Sequence, residues 1–176
     1  MQANAQIGKH CDSMRIEDLD PTHSDAAYVD SLVKNVYRYA FISKISRVID
    51  PRQVPTGTKM GFYPIPMNKL AQVLAGTFLR SLIRAYGDGV YLTTRLCAFD
   101  MMEQIAVIIC RTVVNLDQAV IGAPGIIVPA GGCALDNMDD PRCMVYQDLD
   151  LIYPEFIVTF YPVRDAVGAA LAARQQ

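Results

Sequence analysis

The segment Tyr86-Gly87-Asp88-Gly89-Val90-Tyr91-Leu92-Thr93-Thr94 decides how this chain is read. Its Gly-Asp-Gly core marks a tight turn. The β-branched and aromatic residues that follow predict a strand over 89–93. Downstream, residues 105–114 are rich in β-branched residues and read as a buried strand. Residues 143–146 and 156–160 read as further strands, and 122–132 as a loop rich in Gly and Pro. Residues 99–104 suit a short helix, and the Ala-rich tail 163–174 reads as helical.

Upstream of the segment, helical spacing dominates. Over 28–48, Val29, Leu32, Val33, Val36, Tyr37 and Ala40 recur at helical intervals, with Asp25 or Asp30 available as an N-cap. Residues 50–57 hold two prolines and a glycine and read as a loop. Residues 59–63 suit a short strand. Residues 68–74 suit a helix with Asn68 as its cap and Gly76 as its stop. A helical first half and a strand-rich second half predict an α+β fold.

The bulk numbers agree with one domain. The chain has 176 residues, 52% of them apolar and 19% charged, enough to bury a core. Residues 1–25 are polar and read as a loose leader, leaving 26–176 as the domain. Net charge is −2, so nothing draws a phosphate backbone and direct nucleic-acid binding is not expected. Cys11, Cys97, Cys110, Cys133 and Cys143 are odd in number and lack CxxC spacing. His10 and His23 lie far in sequence from all but Cys11. Neither a disulfide framework nor a zinc site is expected, and no metal cofactor is assigned. The longest apolar stretch, 105–110, is too short to span a bilayer. A soluble, intracellular protein is expected, in nucleus or cytoplasm.

Four pieces in order resemble the catalytic domain of poly(ADP-ribose) polymerases. Gly87-Asp-Gly-Val-Tyr-Leu92 is similar to that family's G-x-G-[IV]-Y-[FL] segment. Residues 108–114 resemble its next strand. Cys133-Ala-Leu-Asp-Asn137, followed by Asp140-Pro141, resembles its SCVDN loop. Ile152-Tyr-Pro-Glu-Phe-Ile-Val-Thr-Phe160 is close to its closing IYPEYLITY strand. The match covers about 61–160 and looks most like the plant SRO branch, similar to radical-induced cell death proteins. The resemblance implies an ADP-ribosyltransferase fold: two packed, mostly antiparallel sheets with flanking helices. It implies NAD as a possible substrate.

The family works with a His-Tyr-Glu triad, and each position can be tested here. The tyrosine that packs on nicotinamide corresponds to Tyr91, with Gly89 beside it. The histidine position corresponds to Tyr63, whose phenol can still donate a hydrogen bond. The next family residue is a glycine that holds the nicotinamide amide with its backbone. Here it is Pro64, which has no N–H. The glutamate position, two residues after the proline of the Asp-Pro pair, is Cys143, or Arg142 if the register slips. The serine position falls at Phe99 and a second stacking tyrosine at Met102, with Thr93 or Thr94 as alternative hydroxyl donors. Glu155 belongs to the closing strand and is expected to be structural. Asp117, Asp136, Asp139 and Asp140 lack the ligand spacing of an EF-hand and read as turn formers.

The resemblance therefore implies a domain with an incomplete NAD site. The expected function is a catalytically inactive protein-interaction module in stress signalling, with proteins, transcription regulators among them, as partners. The alternative is an NAD-dependent mono-ADP-ribosyltransferase. A third reading is a module that binds another nucleotide or a modified residue in the remodelled cleft.

Overall fold

A computed structural model describes residues 14–36, 41–75, 78–80, 84–96 and 105–161. Nine strands and two α-helices form among them. They are β1 (Arg15–Asp18), α1 (Ser24–Lys34), β2 (Ile42–Ile49), β3 (Lys59–Pro66), α2 (Met67–Leu74), β4 (Val90–Thr93), β5 (Ile105–Thr112), β6 (Val120–Ile121), β7 (Ala134–Leu135), β8 (Cys143–Tyr146) and β9 (Ile152–Phe160). The fold is α+β.

All nine strands join one mixed sheet in the order β1-β2-β9-β5-β3-β4-β8-β7-β6. Only β6 and β7 pair in parallel. The expected pair of sheets does not form. The two halves of the ladder are linked because Phe62 of β3 pairs with Thr93 of β4. That single rung is also why β3 tolerates prolines. Beyond Phe62, β3 keeps full pairing with β5 alone, opposite Val107 for Pro64 and Ile105 for Pro66. A strand with one free side accommodates a residue that has no N–H to give.

β5 is the centre of the fold. Its run of Ile, Val and Cys has no polar alternation because both faces are covered, as expected of a strand buried on both sides. One face carries Tyr63, Ile65, Val90, Leu92, Ile108, Cys110, Leu135, Met144 and Tyr146, with α2 packed against them. The other carries Phe62, Val107, Ile109, Val158 and Phe160 under α1. A third cluster, Val128, Ala134 and Val145, lies under Tyr86, Tyr91 and Cys143.

The helical pattern expected over 28–48 divides in two. α1 ends at Lys34, and β2 begins at Ile42. α1 buries Ala26, Val29 and Val33, one helical face, and leaves Tyr28 exposed. Its N-cap is His23, neither Asp25 nor Asp30: the His23 Nδ1 accepts the Asp25 N–H at 3.1 Å. Tyr37 and Ala40 lie outside the described residues. α2 is capped by Pro66 without a side-chain bond, so Asn68 is not the cap. Gly76, the helix expected at 99–104 and the tail at 163–174 lie outside the described residues. The part of residues 1–25 that is described supplies β1 and the start of α1.

Candidate functional site

Tyr91 sits in the middle of β4, opposite Val145 of β8. The turn that delivers it depends on two glycines. Gly87 has φ +112°, a conformation that side chains disfavour. Gly89 is required by packing: a Cβ there would lie 2.5 Å from the Tyr146 carbonyl oxygen. The Gly-x-Gly pattern is thus explained by turn and strand contact.

The Tyr91 hydroxyl is committed to that same turn. It donates to the Gly87 carbonyl at 2.7 Å and accepts the Tyr86 N–H at 2.9 Å. Burial pushes its phenol up, against the Tyr86 N–H, with a smaller push from Cys143. The Tyr86 ring stands 6.5 Å away, tilted by 33°. The aromatic expected to hold nicotinamide is a staple between β4 and its own turn.

Tyr63 is more deeply buried, at 6% exposure. Its hydroxyl donates to the Leu79 carbonyl at 3.0 Å and accepts the Leu79 N–H at 2.9 Å. Its ring packs 5.3 Å from Phe78. Burial pushes the phenol up to about 12, against the Leu79 bond. A phenol has one proton to donate, and Leu79 takes it. Pro64, next along β3, is exposed.

Cys143 pairs with Thr93 and shares the Tyr91 face of the sheet, half-buried. Its backbone N–H and that of Arg142 both donate to Asp136 Oδ1, at 3.0 and 2.9 Å. Asn137 Oδ1 in turn accepts the Asp139 N–H at 2.9 Å. These side chains form the turn between β7 and β8. Asp140 pairs with Arg95 at 2.9 Å. Among the described residues, no group of three His, Cys, Asp or Glu side chains is placed to hold a metal. No helix among them is long and apolar enough to cross a membrane.

The alternative hydroxyl donors are engaged as well. Thr94 Oγ1 donates to the Pro141 carbonyl at 2.5 Å, and Thr93 Oγ1 to the Phe62 carbonyl at 3.4 Å. Glu155 accepts from Arg111 Nε at 2.9 Å, across the β5–β9 pair. Phe99 and Met102 lie outside the described residues. Burial pushes the Cys110 and Cys133 thiols up, which keeps them protonated and poor nucleophiles.

No protein-family model matches this chain, and no curated protein matches it. The likeness to poly(ADP-ribose) polymerases rests on the residues quoted above.

The structure brings Tyr91, Gly89 and Cys143 to one side of the sheet and sends Tyr63 to the other. Sequence reasoning missed Leu79, whose backbone occupies the Tyr63 hydroxyl. An aliphatic side chain gives no sign that its amide will clamp a phenol. Tyr86 was within reach, since it directly precedes the turn.

Proposed function

We propose that this chain is a polymerase-like ADP-ribosyltransferase domain of the SRO type that has lost transfer chemistry and serves as a protein-interaction module. The observation that carries the reading is the state of the two tyrosines. Each hydroxyl is both donor and acceptor to backbone of a neighbouring loop. Turning either toward NAD breaks two bonds and strands a backbone pair. Each stranded group costs about 1–3 kcal/mol, which ligand binding has to offset.

Pro64 and Cys143 support the same reading. The first has no N–H for a carboxamide, and the second provides no carboxylate for a ribose hydroxyl or an acceptor. Protein partners, transcription regulators among them, a role in stress signalling and a nuclear place are proposed on the family likeness.

The test is labelling. The chain is incubated with isotopically labelled NAD, alone and with candidate acceptor proteins, and products are read by mass spectrometry. No ADP-ribose adduct is expected on either. Adducts that disappear in Tyr91→Ala would overturn the proposal in favour of mono-transfer.

A further inference from the structure

A groove of about 390 Å3 lies between α2 and the β1–β2–β9 end of the sheet. Ligand pockets span about 300–1,000 Å3. The groove occupies the Tyr63 face, so it is separate from the Tyr91 side. Met67, Leu70 and Leu74 of α2 form one wall, with Ile16 and Ile157 facing them. Ser43, Ser46, Thr159 and Lys44 complete the lining.

The polar part of this lining is one-sided in charge. Lys44 is the one charged residue among the nine, and it is half exposed. Its partner Asp18, at 2.7 Å, stands outside the lining and also accepts the Ser46 hydroxyl at 2.9 Å. An ammonium has three N–H donors. One serves Asp18, and two can meet an anion. Ser43 and Thr159 share one hydrogen bond at 2.7 Å. Thr159 Oγ1 also donates to the Lys44 carbonyl at 3.5 Å, and with its one proton used there Ser43 is the donor of the pair.

We infer that this groove binds a small amphipathic carboxylate. Its apolar chain lies along Leu70, Leu74 and Ile157, and its head group meets the Lys44 ammonium. A cation offers no acceptor to the two remaining N–H groups of the paired Lys44. A neutral alcohol gains the apolar wall but loses the charge-assisted bond. The inference is independent of the tyrosines and of NAD.

The experiment is calorimetry on the full chain with octanoate, octanol and octylamine as probes. Methyl chemical shifts locate the contact. Octanoate is expected to bind one per chain, with shifts at Leu70, Leu74 and Ile157. Octanol is expected to bind about tenfold more weakly, as is octanoate to Lys44→Met, the loss that one charge-assisted bond carries. The substituted residue forms an exposed ion pair, which contributes little to folding. Circular dichroism checks that the variant is folded. Absent octanoate binding, equal affinity for octanoate and octanol, unchanged affinity in Lys44→Met, or shifts confined to other residues would each overturn the inference.

Discussion

Tyr63 and Tyr91 lie on neighbouring strands and point to opposite faces of the same sheet. Phe62 pairs with Thr93, so Tyr91 shares a face with Phe62, while Tyr63 shares one with Leu92. The two phenols accordingly fall in different clusters. A ligand lying on either face reaches one of them and not the other. Two residues that the family likeness assigns to a single NAD site are separated here by the thickness of the sheet.

The first prediction concerns their hydroxyls. Tyr63→Phe leaves both the N–H and the C=O of Leu79 without a partner in a buried place. It should cost about 1–3 kcal/mol, whereas Tyr91→Phe, in a more open place, should cost about 1 kcal/mol. Urea denaturation checks the ranking. Equal and negligible losses would show that neither hydroxyl holds the fold.

The second follows from the ionisation of Tyr63. Its pKa is raised from 10.0 in the free side chain to about 12 by burial. The folded state therefore holds this proton more tightly than the unfolded state. The stabilisation is complete below pH 10 and is lost as pH rises toward 12. Thermal melts over that window should fall more steeply for the wild type than for Tyr63→Phe. Parallel slopes would contradict the assignment.

The third concerns Gly89. Its Cα hydrogen faces the Tyr146 carbonyl, where no methyl fits. Gly89→Ala should force β4 from β8 and cost about 1–3 kcal/mol, as overpacking does. Gly125→Ala is the comparison: a Cβ there meets open space, leaving only the strain of φ +80°. Denaturation of the two variants separates crowding from backbone strain. A milder loss at Gly89 than at Gly125 would contradict the packing account.

The fourth separates two ion pairs. Asp50, 5% exposed, grips Arg52, which also donates to the Ile152 carbonyl at 2.8 Å and lies 4.6 Å from the Tyr153 ring centroid. Asp50→Ala leaves that guanidinium with the exposed Asp150, 3.7 Å away, as its remaining carboxylate, and should cost about 3 kcal/mol. The Arg111–Glu155 pair is a third exposed on each side. Glu155→Gln should cost about 0–1 kcal/mol. Chemical denaturation measures both, and a larger loss for Glu155 would assign that carboxylate a role beyond the ion pair.

What could be read from sequence followed the length scale of the interaction. β5 was legible because its adjacent β-branched residues suffice to mark it, and the IYPEFIVTF stretch marked β9. The end of α1 was not. Val36 continues the helical period past Lys34, and the choice of strand for residues 42–49 is made by pairing with β9, more than a hundred residues away. The joining of the ladder into one sheet turned on the Phe62–Thr93 rung, again a distant pair. The His23 cap was overlooked because Asp25 is the more usual capping type. At the candidate site, Tyr91 and Gly89 were placed correctly on their strand and turn. Their hydrogen-bond partners are backbone groups, which every residue carries and no side chain advertises.

The most direct test is titration calorimetry of the full chain with NAD, paired with Tyr91→Phe. With both phenols already bonded and on opposite faces, no saturable heat is expected up to millimolar NAD. Micromolar binding that weakens in Tyr91→Phe would contradict the account, because it would require the Tyr91 hydroxyl to leave Gly87 and Tyr86 for the ligand.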